Sequence, residues 1–208
     1  MVEATLARVH VTEGRQKKLL FGHPWIYGNE IDAVEGDPKD GDMVEAVDFR
    51  GRFLGVGFYN SKSLLRVRLL TNRNEPVTTE MIKERVRFAC RFRRFVLERP
   101  GTDACRLIFG EADRLPGVIA DRYGTVVVLQ ILWRGMERFT DAIVDALLEE
   151  QNPECLLLAN DDRIREKEGL TCFTRVLHGT LPDPVVYHEN GIVLEADLTS
   201  GQKTGGFL

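Results

Sequence analysis

Phe53-Leu54-Gly55-Val56-Gly57-Phe58-Tyr59 and Leu64-Leu65-Arg66-Val67-Arg68-Leu69-Leu70 decide the fold of the first third of the chain. Both are short apolar runs, and the turn-forming Asp48-Phe49-Arg50-Gly51-Arg52 precedes the first. Working outward, Leu6-Ala7-Arg8-Val9-His10-Val11 and Met43-Val44-Glu45-Ala46-Val47 repeat the pattern, with Gly36-Asp37-Pro38-Lys39-Asp40-Gly41-Asp42 as a further turn. Short strands at this spacing predict a small β-barrel. Leu65, Val67 and Leu69 alternate with Arg66 and Arg68, which predicts a strand with a basic outer face. Thr71-Asn72-Arg73-Asn74-Glu75-Pro76 has no periodicity and marks a domain boundary.

Beyond that boundary the period changes from two to 3.6. A helix is expected from a cap at Thr78 or Thr79 to about Glu98, ended by Pro100-Gly101. Met81, Ile82, Val86, Phe88, Ala89, Phe92, Phe95 and Val96 share one broad arc, the expected core face, with Arg85 inside it and Arg93 at its edge. Lys83, Arg87, Arg91 and Arg94 form a cationic stripe opposite. Cys105 to Phe109 follows as a strand, then a hairpin of residues 117–121 and 125–132 across Arg122-Tyr123-Gly124, a second helix over about 135–150, and a buried strand at Cys155 to Ala159. Asn160 to Glu168 reads as a charged turn or helical piece, and Thr174 to His178 and Val185 to Glu189 as strands. Val186 to Glu189 pairs with Ile192 to Glu195 over Asn190-Gly191, the strongest hairpin signal in the chain. The class is therefore α+β: a barrel domain at 1–73, a mixed α/β domain at 77–184 and a terminal hairpin segment at 185–208.

Composition fits a globular protein. The 208 residues carry 28 Lys+Arg against 32 Asp+Glu, a net charge of −4, with 43% hydrophobic residues, and this excludes disordered, collagen-like and coiled-coil classes. Residues 1–99 hold 18 basic and 14 acidic groups and the remainder 10 and 18, so the amino-terminal half is the one suited to a polyanion. The longest uncharged apolar stretch, Val126 to Trp133, falls far short of the roughly 20 residues of a membrane span, and Glu3, Arg8 and His10 interrupt any leader-like block. A cytoplasmic protein with no membrane partner is expected. Cys90, Cys105, Cys155 and Cys172 form no C-x-x-C pair, so they are expected as reduced, mostly buried thiols, and no metal site is expected.

Two sets of residues suit nucleic acid. Arg15, Lys17 and Lys18 precede Gly22-His23-Pro24-Trp25-Ile26-Tyr27, which joins ammonium groups for phosphate to flat rings for stacking on unpaired bases. A barrel-core role for Trp25 and Tyr27 is the competing reading. Lys83, Arg87, Arg91 and Arg94 offer a phosphate-tracking helix face, since residues 83–99 hold seven basic and two acidic groups, against an ordinary solvated surface. Gly55-Val56-Gly57 runs on into a strand, and Gly201-Gln202-Lys203-Thr204-Gly205-Gly206 has the wrong glycine-to-lysine order, so neither reads as a phosphate loop. Glu111, Asp113 and Asp121, and Asp161, Asp162, Glu166 and Glu168, read as caps, turns and surface ion pairs.

At the level of whole motifs the chain resembles the amino-terminal half of the class I S-adenosylmethionine-dependent methyltransferases that modify C5 of a cytosine in large-subunit ribosomal RNA. The resemblance rests on Gly22 to Ile31, Gly41-Asp42-Met43-Val44-Glu45, Gly57-Phe58-Tyr59-Asn60, Arg66 to Leu70, Arg106 to Tyr123, Glu168-Gly169-Leu170, Glu189-Asn190-Gly191 and Gly201-Gln202-Lys203-Thr204-Gly205, in that order. It implies a PUA-type RNA-binding barrel, a central α/β domain and a hairpin leading into a Rossmann-like catalytic domain. In the family the cofactor loop and the nucleophilic cysteine lie downstream of the Gly-Gln-Lys-Thr-Gly hairpin. The resemblance thus assigns no catalytic residue here, and Gln202, Lys203 and Thr204 are the nearest to a cofactor motif. Two stretches depart from the family pattern: Asn160-Asp161-Asp162 replaces Arg-Ser-Asp, and Gly205-Gly206-Phe207-Leu208 replaces Phe-Phe-Leu-Asp-Gln-Arg. The expectation is an RNA-docking portion of such an enzyme, inactive alone, with S-adenosylmethionine held by the missing domain and with ribosomal RNA and a second copy of the chain as partners. A free-standing RNA-binding protein is the alternative.

Overall fold

The structure, a computed structural model, describes residues 6–198, which fall into two compact units. The first comprises the described part of Met1–Thr78 together with Trp133–Gly135 and Lys167–Leu170. Its elements are β1 (Ala7–Val11), α1 (Gln16–Leu20), β2 (Trp25–Ile26), a 3₁₀ turn (Gly28–Glu30), β3 (Ile31–Glu35), β4 (Met43–Asp48), β5 (Phe53–Tyr59) and β6 (Val67–Thr71). The four expected strands, joined by the unexpected β2 and β3, form one six-stranded sheet in the order β2-β6-β5-β4-β1-β3, in which β1 runs parallel to β4 and the other neighbours are antiparallel. Val9, Val11, Val44, Leu54 and Val67 from the strands meet Leu19 of α1 and Ile26 of β2 in its core. Gly57 allows β5 and β6 to approach closely, because a β-carbon there would run into the Arg68 carbonyl.

The basic outer face expected on β6 is not found. Every residue of β6 is buried, Arg68 included at 7% exposure. The returning segments of the first unit cover it: the Arg68 guanidinium lies over the Trp133 ring and 3.7 Å from a carboxylate oxygen of Glu168. Glu168, itself 5% exposed, also accepts a hydrogen bond from Asn60 Nδ2, and its carbonyl accepts one from Arg134 Nε. A strand covered on both faces loses the alternation that a one-sided strand displays, and here the cover comes from residues more than 60 positions away in the chain.

The chain continues with α2 (Thr79–Phe92), α3 (Arg94–Leu97), β7 (Ala104–Phe109), β8 (Val118–Tyr123), β9 (Val126–Ile131), α4 (Arg134–Glu137), α5 (Thr140–Gln151), β10 (Cys155–Asn160), α6 (Ile164–Lys167), β11 (Phe173–Gly179), β12 (Val185–Glu189) and β13 (Ile192–Ala196). The second unit, Thr79–Leu132, Met136–Glu166 and the described part of Thr171–Leu208, is built on a five-stranded sheet in the order β11-β10-β9-β8-β7. β9 and β10 are parallel neighbours and buried throughout, as their unbroken apolar runs require. β12 and β13 pair as expected, Glu189 opposite Ile192, over Asn190 and Gly191 with φ of +52° and +82°, the paired positive values of a type I′ turn. The β8–β9 loop is Gly124-Thr125, further along than the expected turn, since Tyr123 still pairs with Val126.

The long helix expected to Glu98 is two helices. Arg93 leaves the helical conformation and its guanidinium forks onto Asp113, Nη1 to Oδ1 and Nη2 to Oδ2 at 2.9 Å each. The second expected helix is likewise divided into α4 and α5. The face of α2 that enters the core is narrower than expected: Ile82, Val86, Ala89 and Cys90 are buried, whereas Phe88, Phe92 and Phe95 are 70%, 62% and 54% exposed. Among the described residues no helix is long and apolar enough to cross a membrane.

Candidate nucleic-acid interface

In the first unit α1 and β2 bring Arg15, Lys17, Lys18, His23 and Trp25 onto one stretch of surface. Leu19 anchors α1 in the core, which leaves Arg15, Lys17, Leu20 and Phe21 exposed around it. The helix ends in a Schellman motif: the Gly22 N–H donates to the Leu19 carbonyl at 2.9 Å and the His23 N–H to the Lys18 carbonyl at 3.0 Å. Gly22 supplies the left-handed residue at φ +90° with no atom near its missing side chain, so conformation and not space requires glycine. Gly22→Ala is expected to cost about 1 kcal/mol, seen as a fall of about 2–4 °C in the thermal midpoint. An unchanged midpoint would show that the turn tolerates a β-carbon.

The turn sets His23 against Trp25. The His23 Nδ1 accepts the Trp25 N–H at 3.2 Å, and the two rings meet edge to face at 5.5 Å. Trp25 is half-buried, so neither the core reading nor the fully exposed one holds for it, while Ile26 beside it enters the core. Phe21, 90% exposed, joins this surface unforeseen at the end of the apolar run Leu19-Leu20-Phe21.

Glu30 organises the cations. Its Oε2 accepts from Lys18 Nζ at 2.7 Å and from the Tyr27 N–H at 2.9 Å, and Lys18 Nζ also stands 4.9 Å over the Tyr27 ring. Burial pushes the Glu30 carboxyl up, but the bonds from Lys18 and Tyr27 and the charges of Lys18 and Arg15 outweigh it and hold the group below its usual range. Lys18 is thereby fixed and neutralised. Arg15 and Lys17 make no ion pair among the described residues and are the cations of this surface open to a phosphate.

In the second unit the other expected set is not an open stripe. Lys83 Nζ meets Asp145 at 2.8 Å, Arg87 meets Glu80 at 2.7 Å, Glu84 at 2.8 Å and Glu149 at 3.0 Å, and Arg91 meets Glu150 at 2.6 Å. Arg94 reaches Glu150 at 3.9 Å. The helix face opposite the core packs against the acidic side of α5, and each cation has a carboxylate there. Asp113 holds Arg93 and the Phe109 N–H, and Asp162 accepts the Ile164 N–H, as a turn does. Asp121, with Arg106 at 2.8 Å, and Glu168, with Arg68, are ion-paired but buried and not on the surface.

Three of the four cysteines are buried. Burial pushes the Cys90 thiol up to about 12 and the Cys105 thiol up to about 11, so neither supplies thiolate near neutral pH. Cys155 is buried and shifted the same way, and the exposed Cys172 donates its thiol to the Asp162 carbonyl at 3.4 Å. A cleft of about 180 Å³ is lined by Cys90, Arg94, Leu97, Arg122, Glu150 and Gln151. No cluster of metal ligands occurs among the described residues. Gln202, Lys203 and Thr204 lie outside them.

Comparison with known proteins agrees with this layout. Residues 9–72 match the model of a PUA-like domain. The chain is 38% identical over 204 residues to ribosomal RNA large subunit methyltransferase I of Vibrio vulnificus, covering 97% of this chain and 51% of the relative. It is 36% identical over 211 residues to the Klebsiella pneumoniae protein of the same name, covering 52% of it. Among solved structures, a Streptococcus mutans protein assigned as a SAM-dependent methyltransferase superposes with a TM-score of 0.74 at 18% identity, over 90% of this chain and 47% of that one. The fold is therefore α+β with a PUA-like domain at residues 9–72 and a two-stranded hairpin, and the chain spans about half the length of the ribosomal RNA methyltransferases to which it is similar.

Proposed function

We propose that this chain is the RNA-docking portion of a cytoplasmic, S-adenosylmethionine-dependent ribosomal RNA cytosine-C5 methyltransferase. The observation that carries the reading is the α1–β2 surface of the PUA-like domain. There Arg15 and Lys17 stand open beside the exposed rings of Phe21 and His23 and the half-buried Trp25, the pairing of cations and flat rings that RNA recognition uses. Similarity over 97% of the chain to an enzyme named for large-subunit ribosomal RNA supports the choice of RNA. C5 methylation needs a thiolate to attack C6 of cytosine, so that C5 becomes nucleophilic toward the methyl donor. The buried thiols described above do not suit that step, and the reading gives both it and the cofactor to a separate catalytic half.

The test is a fluorescence anisotropy titration of the full chain with fragments of large-subunit ribosomal RNA at several salt concentrations. Binding that weakens linearly in log salt is expected, and absence of binding at low salt would overturn the reading. Mixing the chain with the catalytic half of a relative should restore methylation of C5. RNA binding without restored methylation would instead identify a free-standing RNA-binding protein.

A further inference from the structure

Outside the α1–β2 surface, the largest group of exposed rings lies in the second unit on α2 and α3. Phe88, Phe92 and Phe95 are 70%, 62% and 54% exposed and touch in series. Phe88 and Phe92 lie 6.3 Å apart with planes inclined by only 15°, and Phe95 meets Phe92 edge-on at 6.5 Å. Phe109, 54% exposed, continues the surface through Arg93, whose guanidinium lies 5.7 Å over Phe92 while it grips Asp113, the acceptor of the Phe109 N–H. These rings are not needed by the core, which α2 supplies from Ile82, Val86, Ala89 and Cys90 roughly a third of a turn away. Contiguous exposed apolar surface of this kind marks a binding site.

The edges of the patch decide what binds. Arg99 lies 5.6 Å over the Phe95 ring and makes no ion pair among the described residues. Arg93 lies 5.7 Å over the Phe92 ring, and Arg94 is taken by Glu150 of α5 at 3.9 Å. A row of flat rings bordered by guanidinium groups suits bases that stack while their phosphates meet cations.

We propose that Phe88, Phe92 and Phe95, with the Arg99 guanidinium over Phe95 at their edge, form a second RNA-binding surface that stacks unpaired bases. It rests on the reading of the chain as an RNA binder, but it concerns a different unit and a different kind of contact. The α1–β2 cations hold the backbone and make binding salt-dependent; the rings of α2 and α3 add affinity for single-stranded segments with little dependence on salt.

The experiment measures binding of the full chain to a single-stranded oligonucleotide and to a duplex of matched length. Phe92→Leu keeps apolar volume and removes the flat ring. It is expected to weaken single-strand binding roughly 5- to 100-fold, to leave duplex binding and the salt slope unchanged, and to be reversed by Phe92→Tyr. Unaltered single-strand affinity in a folded Phe88→Leu, Phe92→Leu double variant would overturn the proposal. So would sedimentation showing that the rings hold two copies of the chain together. Photo-crosslinking of an iodouridine oligonucleotide to the unmodified chain needs no variant: crosslinks at residues 88–95 are expected. Crosslinks confined to residues 15–25 would reject this surface and keep the RNA-docking reading, whereas no RNA binding at all would reject that reading.

Discussion

Replacing Glu168 by alanine is expected to cost about 3–5 kcal/mol of folding free energy, a large share of the roughly 5–15 kcal/mol that holds a typical protein folded. Arg68 and Glu168 are 7% and 5% exposed, and with the carboxylate gone the buried guanidinium keeps the Trp133 ring beside it but loses that counter-charge. Asn60 Nδ2 loses its acceptor at the same time. The size of the effect reflects a buried guanidinium that has lost a counter-charge more than the worth of the pair itself, and this has a second consequence. Arg68→Met combined with Glu168→Leu should recover most of the loss, because a well-packed apolar pair of similar volume can match a buried ion pair. Urea unfolding of the two single variants and the double variant checks both statements. A Glu168→Ala protein within 1 kcal/mol of the parent would mean that Arg68 finds another partner or reaches water.

The second large effect concerns RNA. Arg15→Glu with Lys17→Glu removes the two cations that stand open on the α1–β2 surface, and both positions are exposed, so the fold should be untouched. Each phosphate contact contributes a salt slope of about 0.7 on single strands and about 0.9 on duplex. Loss of two contacts therefore lowers the slope by about 1.4–1.8 and the affinity at 0.1 M salt by roughly 25- to 60-fold. The same reversal at Lys83 and Arg87 would serve as a contrast, since those cations already face Asp145, Glu80, Glu84 and Glu149. An unchanged slope after the Arg15 and Lys17 reversal would move the interface elsewhere on the molecule.

What the sequence disclosed and what it withheld separate along a physical line. The Asn190-Gly191 hairpin, four strands of the first sheet and the buried β10 were legible because their signals are local: a turn that only certain residues make, or an apolar run of strand length. The break at Arg93 was not, because it depends on Asp113 at the far end of a side chain, 20 residues on. Over residues 81–96 the apolar arc held two adjacent stripes, Ile82-Val86-Ala89 on α2 and Phe88-Phe92-Phe95 across α2 and α3, and hydropathy cannot say which one is covered. The cationic stripe failed as an open surface for a similar reason: Lys83, Arg87 and Arg91 were visible, but Asp145, Glu149 and Glu150, about 60 residues away, were not connected to them by any periodicity. On the α1–β2 surface Arg15, Lys17, Lys18, His23 and Trp25 could be singled out from residue types alone, and the structure places them together. The roles of Glu30 in fixing Lys18, and of Phe21 in standing clear of the core, needed coordinates.

Arg68, Trp133 and Glu168 belong to one compact unit although they are spread over 100 positions of the chain. During synthesis the six strands can be complete in sequence while Arg68 still waits for its cover, since the segments Trp133–Gly135 and Lys167–Leu170 have yet to emerge. At about 5–20 residues per second the nascent sheet passes several seconds with that arginine exposed to whatever anion is near. The first unit thus cannot close until that late segment is made, and its closure reports that the chain has been made at least as far as Leu170.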